Sequence, residues 1–160
     1  MRESALRILE AERTRLADSI PDGELLLTGG ASLPDALTYG DVDLHFRVAQ
    51  EAFEAADEAL RGVYAVVHPE IWQRGFATFE ILGADPPTGI ALTVIDGEHD
   101  RLFQRSWQLL AAEPRLLSAY NEMKRHHVGG DPEAYRAAKS VFFARLVRGM
   151  ERDVPEGAAL

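Results

Sequence analysis

A chain of 160 residues, 46% hydrophobic and 27% charged, is long enough for one domain with a real core and too short for two comfortable ones. Its net charge of −9 argues against broad, non-specific nucleic-acid binding, which relies on neutralising phosphates, and the absence of cysteine removes disulfides and thiolate metal sites. No apolar run approaches a membrane span and the N-terminus lacks a signal-peptide core, so a cytoplasmic protein is expected.

In chain order, residues 4–18 predict an amphipathic helix with Leu6, Leu9, Leu16 and Ile20 near helical spacing and Arg7, Glu10, Arg13 and Asp18 towards water. Pro21-Asp22-Gly23 ends it with turn chemistry, and a first strand over 24–28 runs into Gly29-Gly30. A second strand carries Asp41 and Asp43. A helix over 49–60 follows, with Phe53, Ala56 and Leu60 on one stripe, and then a short apolar strand over 64–67. Two strands, 76–82 and 90–96, flank the proline- and glycine-rich joint Gly83–Gly89. From Asp100 the pattern turns helical: one helix over 101–112, one from Pro114 to about His127, and one from Pro132, capped by Asp131, to about Met150. The last carries the stripe Tyr135, Ala138, Phe142, Leu146 and Met150, and residues 152–160 read as a tail. Strands first and helices last predict an α+β fold: a small mixed β-sheet with flanking helices and a helical C-terminal part over 100–150, in a single domain covering 1–151.

The stretch Leu27–Val48, L-T-G-G-A-S-L-P-D-A-L-T-Y-G-D-V-D-L-H-F-R-V, carries the chemistry. Alternation along a strand puts Asp41 and Asp43 on one face and Val42, Leu44 and Phe46 on the other. Two adjacent carboxylates repel each other unless a cation bridges them, and hard oxygen ligands of this kind suit Mg²⁺ shared with substrate phosphates. Gly29 and Gly30 let backbone N–H groups approach such phosphates, and Ser32 adds a hydroxyl donor.

A glycine pair followed at this distance by Asp-x-Asp resembles the nucleotidyltransferase (polymerase-beta-like) superfamily, and G-A-S-L-P-D-A-L with D-V-D-L-H is similar to its GrpB (UPF0157-like) branch. Pro114, Tyr120, Lys124, Tyr135, Lys139 and Phe142 fall on the tail pattern of that branch, so the resemblance runs from about Leu25 to Leu146. It implies a Mg²⁺-dependent transfer of a nucleotidyl group from a nucleoside triphosphate, ATP as the expected donor, to an unknown acceptor. Asp41 and Asp43 would hold the metal and act in catalysis, and Gly29, Gly30, Ser32, Lys124 and Lys139 would bind the nucleotide. Superfamily enzymes add a third acid from a neighbouring strand; Glu80, mid-strand between Phe79 and Ile81, is the first candidate and Asp96 the second. The weightier reading is that Thr78 and Glu80 line the solvated face of an edge strand. The chain departs from the branch at Ala31, at Ala91-Leu92-Thr93 in place of His-x-His, and at Ser106-Trp107-Gln108 in place of Phe-Arg-Asp. A degenerate, non-catalytic nucleotide-binding or interaction module on the same fold therefore stands beside the enzyme. His45 reads as a polar tip at the sheet edge, Trp72 and Trp107 as core, and Lys124-Arg125-His126-His127 as favourable helix C-terminal chemistry, with Lys124, Arg136 and Lys139 also able to reach a phosphate.

Overall fold

A computed structural model describes residues 2–152, the side chains of residues 132 and 150–152 excepted; the apolar role expected of Met150 and the tail beyond residue 152 lie outside the described residues. The fold is α+β, with a mixed five-stranded sheet and helices. The expected domain over 1–151 contains two compact units, dividing after Phe103.

In the first unit, α1 (Arg2–Leu16) buries Ala5, Leu9, Glu12 and Leu16, a stripe at helical spacing. Leu6, expected on that stripe, is exposed instead, because Ala5 takes the inward position beside it. The helix stops at Leu16, whose carbonyl accepts the N–H groups of both Ser19 and Ile20 in the closing turn. Glu12 enters the apolar stripe because the Tyr64 hydroxyl donates to its Oε2 at 2.5 Å.

The strands β1 (Glu24–Thr28), β2 (Val42–Val48), β3 (Ala65–Val66), β4 (Phe76–Ile81) and β5 (Thr88–Val94) lie in the order β1-β2-β5-β4-β3. Only β2 and β5 run parallel; β1 on β2, β4 on β5 and β3 on β4 are antiparallel. Period-two alternation gives the sheet two unlike faces. Leu25, Val42, Leu44, Phe46, Val48, Ala77, Phe79, Ile90, Leu92 and Val94 form the core with α1 and with Phe53, Ala56 and Leu60 of α2 (Phe53–Arg61). The opposite face carries Asp43, His45 and Arg47 on β2, Gly89, Ala91 and Thr93 on β5, and Thr78 and Glu80 on β4. The helix expected over 49–60 begins as a 3-10 turn, Gln50–Ala52, before α2. Trp72 is half-buried and packs against the core, its ring centroid 5.5 Å from that of Phe79; its indole N–H donates to Val67 O and Thr78 Oγ1, and the Arg61 guanidinium lies 4.5 Å above its ring. The joint between β4 and β5 is shorter than expected, since pairing already starts at Thr88.

The second unit comprises most of α3 (Glu98–Ala112), with α4 (Pro114–His127) and α5 (Pro132–Arg152). Proline opens α4 and α5, where its missing N–H costs nothing, and the Asp131 carboxylate accepts the Glu133 N–H at 3.0 Å as the expected cap. Trp107, Tyr120, Phe142 and Phe143 pack as an aromatic cluster with ring centroids 5.3–5.9 Å apart.

Candidate functional site

The β1–β2 ladder closes on the pair Thr28↔Asp43, so the residue after Thr28 must turn away directly beside the Asp43 side chain. That residue is Gly29, at φ +69°. A Cβ built there would stand 2.0 Å from Asp43 Oδ2, so glycine is required both by the left-handed backbone and by the carboxylate pressed against it. A 3-10 turn over Gly30–Ser32 follows, with Gly30 and Ala31 buried. The Ser32 hydroxyl donates to the Gly29 carbonyl at 2.7 Å and holds the turn closed. Gly29, Gly30, Ser32 and Asp43 are thus one local assembly.

Asp41 differs from expectation. It sits one residue ahead of β2, exposed, where Gly40 at φ +96° swings the chain into the sheet; the ladder begins at Val42, whose N–H donates to Pro87 O at 2.9 Å. Asp43 alone of the pair is held by strand pairing, half-buried, with Asp41 beside it at the strand entrance.

Glu80 lies on the same sheet face as Asp43. Both stand opposite Gly89, Asp43 through the parallel ladder and Glu80 through the antiparallel one. One strand separates them, so their backbones are roughly 9–10 Å apart, with no side chain on Gly89 between them. Glu80 is exposed, but β4 is not an edge strand, because β3 pairs beyond it. Asp96 belongs elsewhere: at φ +58° it makes the turn after β5, at the end of the sheet where Val94 meets Val48, away from Asp43.

Along the same face, beyond Asp43, runs a polar network that the sequence did not reveal. His45 is 2% exposed, well inside the sheet rather than at its edge, and its Nε2 pairs with Thr93 Oγ1 at 2.7 Å. Arg47 grips the buried Asp100 carboxylate with two bonds of 2.6 and 2.8 Å and reaches Glu24 at 2.5 Å. Asp100, in the first turn of α3, also accepts the Asp96 N–H at 2.8 Å, close to a capping box. The detectable signal was an acid three residues after Gly97 at a helix start. Burial alone would raise the Asp100 carboxyl, but the bonds from Arg47 and Asp96 outweigh it and hold it below the usual range. The bond to Asp100 in turn raises the Arg47 guanidinium.

Burial pushes the His45 imidazole down to about 4, against an opposing pull from Asp100. Its folded pKa lies below the unfolded value of about 6.5, so the unfolded chain takes up the extra proton as pH falls. Stability from His45 is complete above about pH 6.5 and fades towards pH 4, by about 3 kcal/mol at most. Denaturant titrations across that window are expected to show this decline in the natural protein and a flatter profile in His45→Gln; parallel profiles would refute it.

The remaining expected residues lie in the second unit. Lys124, on α4, is 4% exposed with its ammonium 4.8 Å from the Tyr120 ring centroid, and Lys139 is half-buried on α5. His126 and His127 donate from Nδ1 to the carbonyls of Glu122 and Met123, one turn back in α4, at 2.8 Å each.

Among the described residues no three His, Cys, Asp or Glu side chains gather to hold a metal through protein atoms alone. Asp43 pressed against the Gly29 turn, with Asp41 beside it, instead fits the way Mg²⁺ is held, by one or two carboxylates with substrate phosphates completing its shell.

No family model matches the chain. A UPF0157 protein of Vibrio cholerae is 27% identical over 135 residues, covering 82% of this chain and 70% of that protein. The crystal structure of the conserved protein GrpB from Enterococcus faecalis superposes with a TM-score of 0.64 at 13% identity, covering 89% of this chain and 94% of that one. The Cid1 poly(U) polymerase, solved with MgGTP bound, gives a TM-score of 0.53 at 17% identity over 76% of this chain, which spans 39% of that enzyme.

Proposed function

We propose, from the likeness to a UPF0157 protein in sequence and to GrpB and a nucleotidyltransferase in fold, a Mg²⁺-dependent transfer of a nucleotidyl group from a nucleoside triphosphate to an acceptor hydroxyl, amine or phosphate. The observation that carries this reading is Gly29 pressed against Asp43, a tight glycine turn directly beside a carboxylate. The Cid1 polymerase, described with MgGTP bound, supports a triphosphate as donor, with ATP the expected one here.

In this reading the N–H groups of Gly29 and Gly30 hold the outer phosphates, and the Ser32 hydroxyl turns from the Gly29 carbonyl to join them. Asp43 and Asp41 hold the cation, which when bound neutralises charge on the phosphates. Glu80 accepts the acceptor's proton from across Gly89.

The alternative is a nucleotide-binding module without turnover. The specific observation behind it is that β5, next to Asp43, presents Gly89 and Ala91 where a third acid would sit closest. Calorimetry of ATP with and without Mg²⁺, alongside pyrophosphate release, separates the two. Mg²⁺ is expected to tighten ATP binding at least tenfold. Glu80→Gln is expected to leave that affinity within about threefold while removing transfer. Binding indifferent to Mg²⁺ would defeat the proposal, and tight binding with no release from any acceptor would favour the module.

A further inference from the structure

Gly89 has no local reason to be glycine. It lies in the interior of a seven-residue strand, paired on both sides, and it is absent from the positions of positive φ. A Cβ placed on it would meet only the Phe79 carbonyl oxygen, at an ordinary 3.8 Å, among the described residues. Glycine weakens a strand by its flexibility and lack of packing, and inside one it often marks a place where a ligand or another backbone comes close. This contrasts with Gly29, where fold geometry alone demands the residue.

What surrounds the clearance identifies what it admits. Across the sheet face the order is the Gly29–Ser32 turn at the end of β1, Asp43 on β2, Gly89 on β5 and Glu80 on β4. Phosphoryl transfer holds the attacking and leaving oxygens roughly in line across the transferred phosphorus. With the outer phosphates in the turn and the transferred phosphorus at Asp43, the attacking group arrives from the Gly89 side.

We propose that Gly89 is the residue that sets acceptor specificity: its missing side chain admits a small acceptor between Asp43 and Glu80, and the Glu80 carboxylate, the flanking acid not engaged with the cation, selects one that is neutral or cationic, a polyol or an aminosugar, over an anionic one. This rests on the proposed transfer reaction. In the step, the acceptor oxygen bonds to the α-phosphorus, and the bond from that phosphorus to the pyrophosphate oxygen breaks with its electron pair on pyrophosphate. The acceptor's proton passes to Glu80. The charge of −9 over the chain adds to the bias against anionic acceptors.

The test compares the natural protein with Gly89→Ala and Gly89→Val in three measurements. Melting of the ligand-free protein is expected to be unchanged or raised in Gly89→Ala. Calorimetric affinity for α,β-methylene-ATP with Mg²⁺, a donor that cannot be cleaved, is expected to stay within twofold in both variants. Pyrophosphate release from ATP with glycerol or glucosamine as acceptor is expected to fall at least tenfold in Gly89→Ala and to vanish in Gly89→Val. Lowered melting in Gly89→Ala would mean that the glycine serves packing, and weakened donor binding that the space belongs to the nucleotide; either overturns the inference. So would release unaffected by the variants, activity with neither small acceptor, or preference for an oligonucleotide 3′-hydroxyl. If the natural protein binds no Mg²⁺-dependent donor, the transfer reading falls first, and the acceptor assignment falls with it.

Discussion

Asp43→Asn is expected to abolish the Mg²⁺ dependence of triphosphate binding and to lower nucleotidyl transfer by about 10²–10³-fold, the scale of ~3–4 kcal/mol of lost transition-state stabilisation. The amide keeps the carboxylate's shape, which matters because Asp43 fills the space left by Gly29, where even a single added carbon would stand 2.0 Å from Oδ2. Packing is therefore conserved while the negative charge is removed. Melting of the ligand-free variant is expected to match the natural protein, so that loss of activity reports on charge alone. Asp41→Asn, at an exposed position outside the ladder, is expected to have the smaller effect, since a carboxylate on a less constrained segment is less well aimed. Calorimetry of ATP with and without Mg²⁺ in both variants checks this. Equal effects at the two positions would show that strand pairing does not distinguish the acids, and an unchanged Mg²⁺ response in Asp43→Asn would remove the site.

The largest stability effect is expected at Asp100. Its carboxylate is 1% exposed and receives two bonds from Arg47 and one from the Asp96 N–H. Removing one partner of a buried ion pair costs about 3–5 kcal/mol, because the other charge is left without compensation. Arg47 keeps Glu24 as a second partner and its side chain is 15% exposed, which puts Asp100→Ala near the lower end of that range. Glu24→Gln is the control: Glu24 is 51% exposed, and exposed pairs contribute about 0–1 kcal/mol. Urea unfolding, read as a midpoint shift at constant slope, is expected to separate the two variants clearly. Comparable midpoints would mean that the buried pair is replaceable by water.

These two sites differ in how much of them the sequence discloses. Gly29, Gly30, Ser32 and Asp43 fall within fifteen residues of one another, so turn chemistry and strand alternation suffice to bring them together. Helix and strand identities were legible for the same reason, since period and punctuation are local signals; the ends of α1 and α2 and the start of β2 shifted by one to four residues, where closing turns decide. Glu80 was legible as an unusual charge in a strand, but its face became definite only through its register against Gly89. His45 looked like an edge residue because nothing in a local pattern says that β5 will pair alongside β2 and supply Thr93, or that a helix start will supply Asp100. Gly89 carries a signal, a glycine against an apolar strand pattern, but the run over residues 83–88 before it makes it look like the last residue of a loop.

The order of strands has a consequence for how the molecule can change over evolutionary time. The proposed donor half of the site is a short-range structure: the turn and Asp43 belong to one antiparallel pair, β1 with β2, joined by a single connection. The Gly89–Glu80 half joins that pair only through β5, about forty-five residues further on, in the one parallel contact of the sheet. Short-range pairs close at low entropic cost and parallel ones at higher cost. Substitutions in β4, in β5 and in the joint between them can therefore accumulate without disturbing the turn beside Asp43. A lineage built this way can keep the β1–β2 hairpin and its proposed phosphate turn while trading one proposed acceptor wall for another.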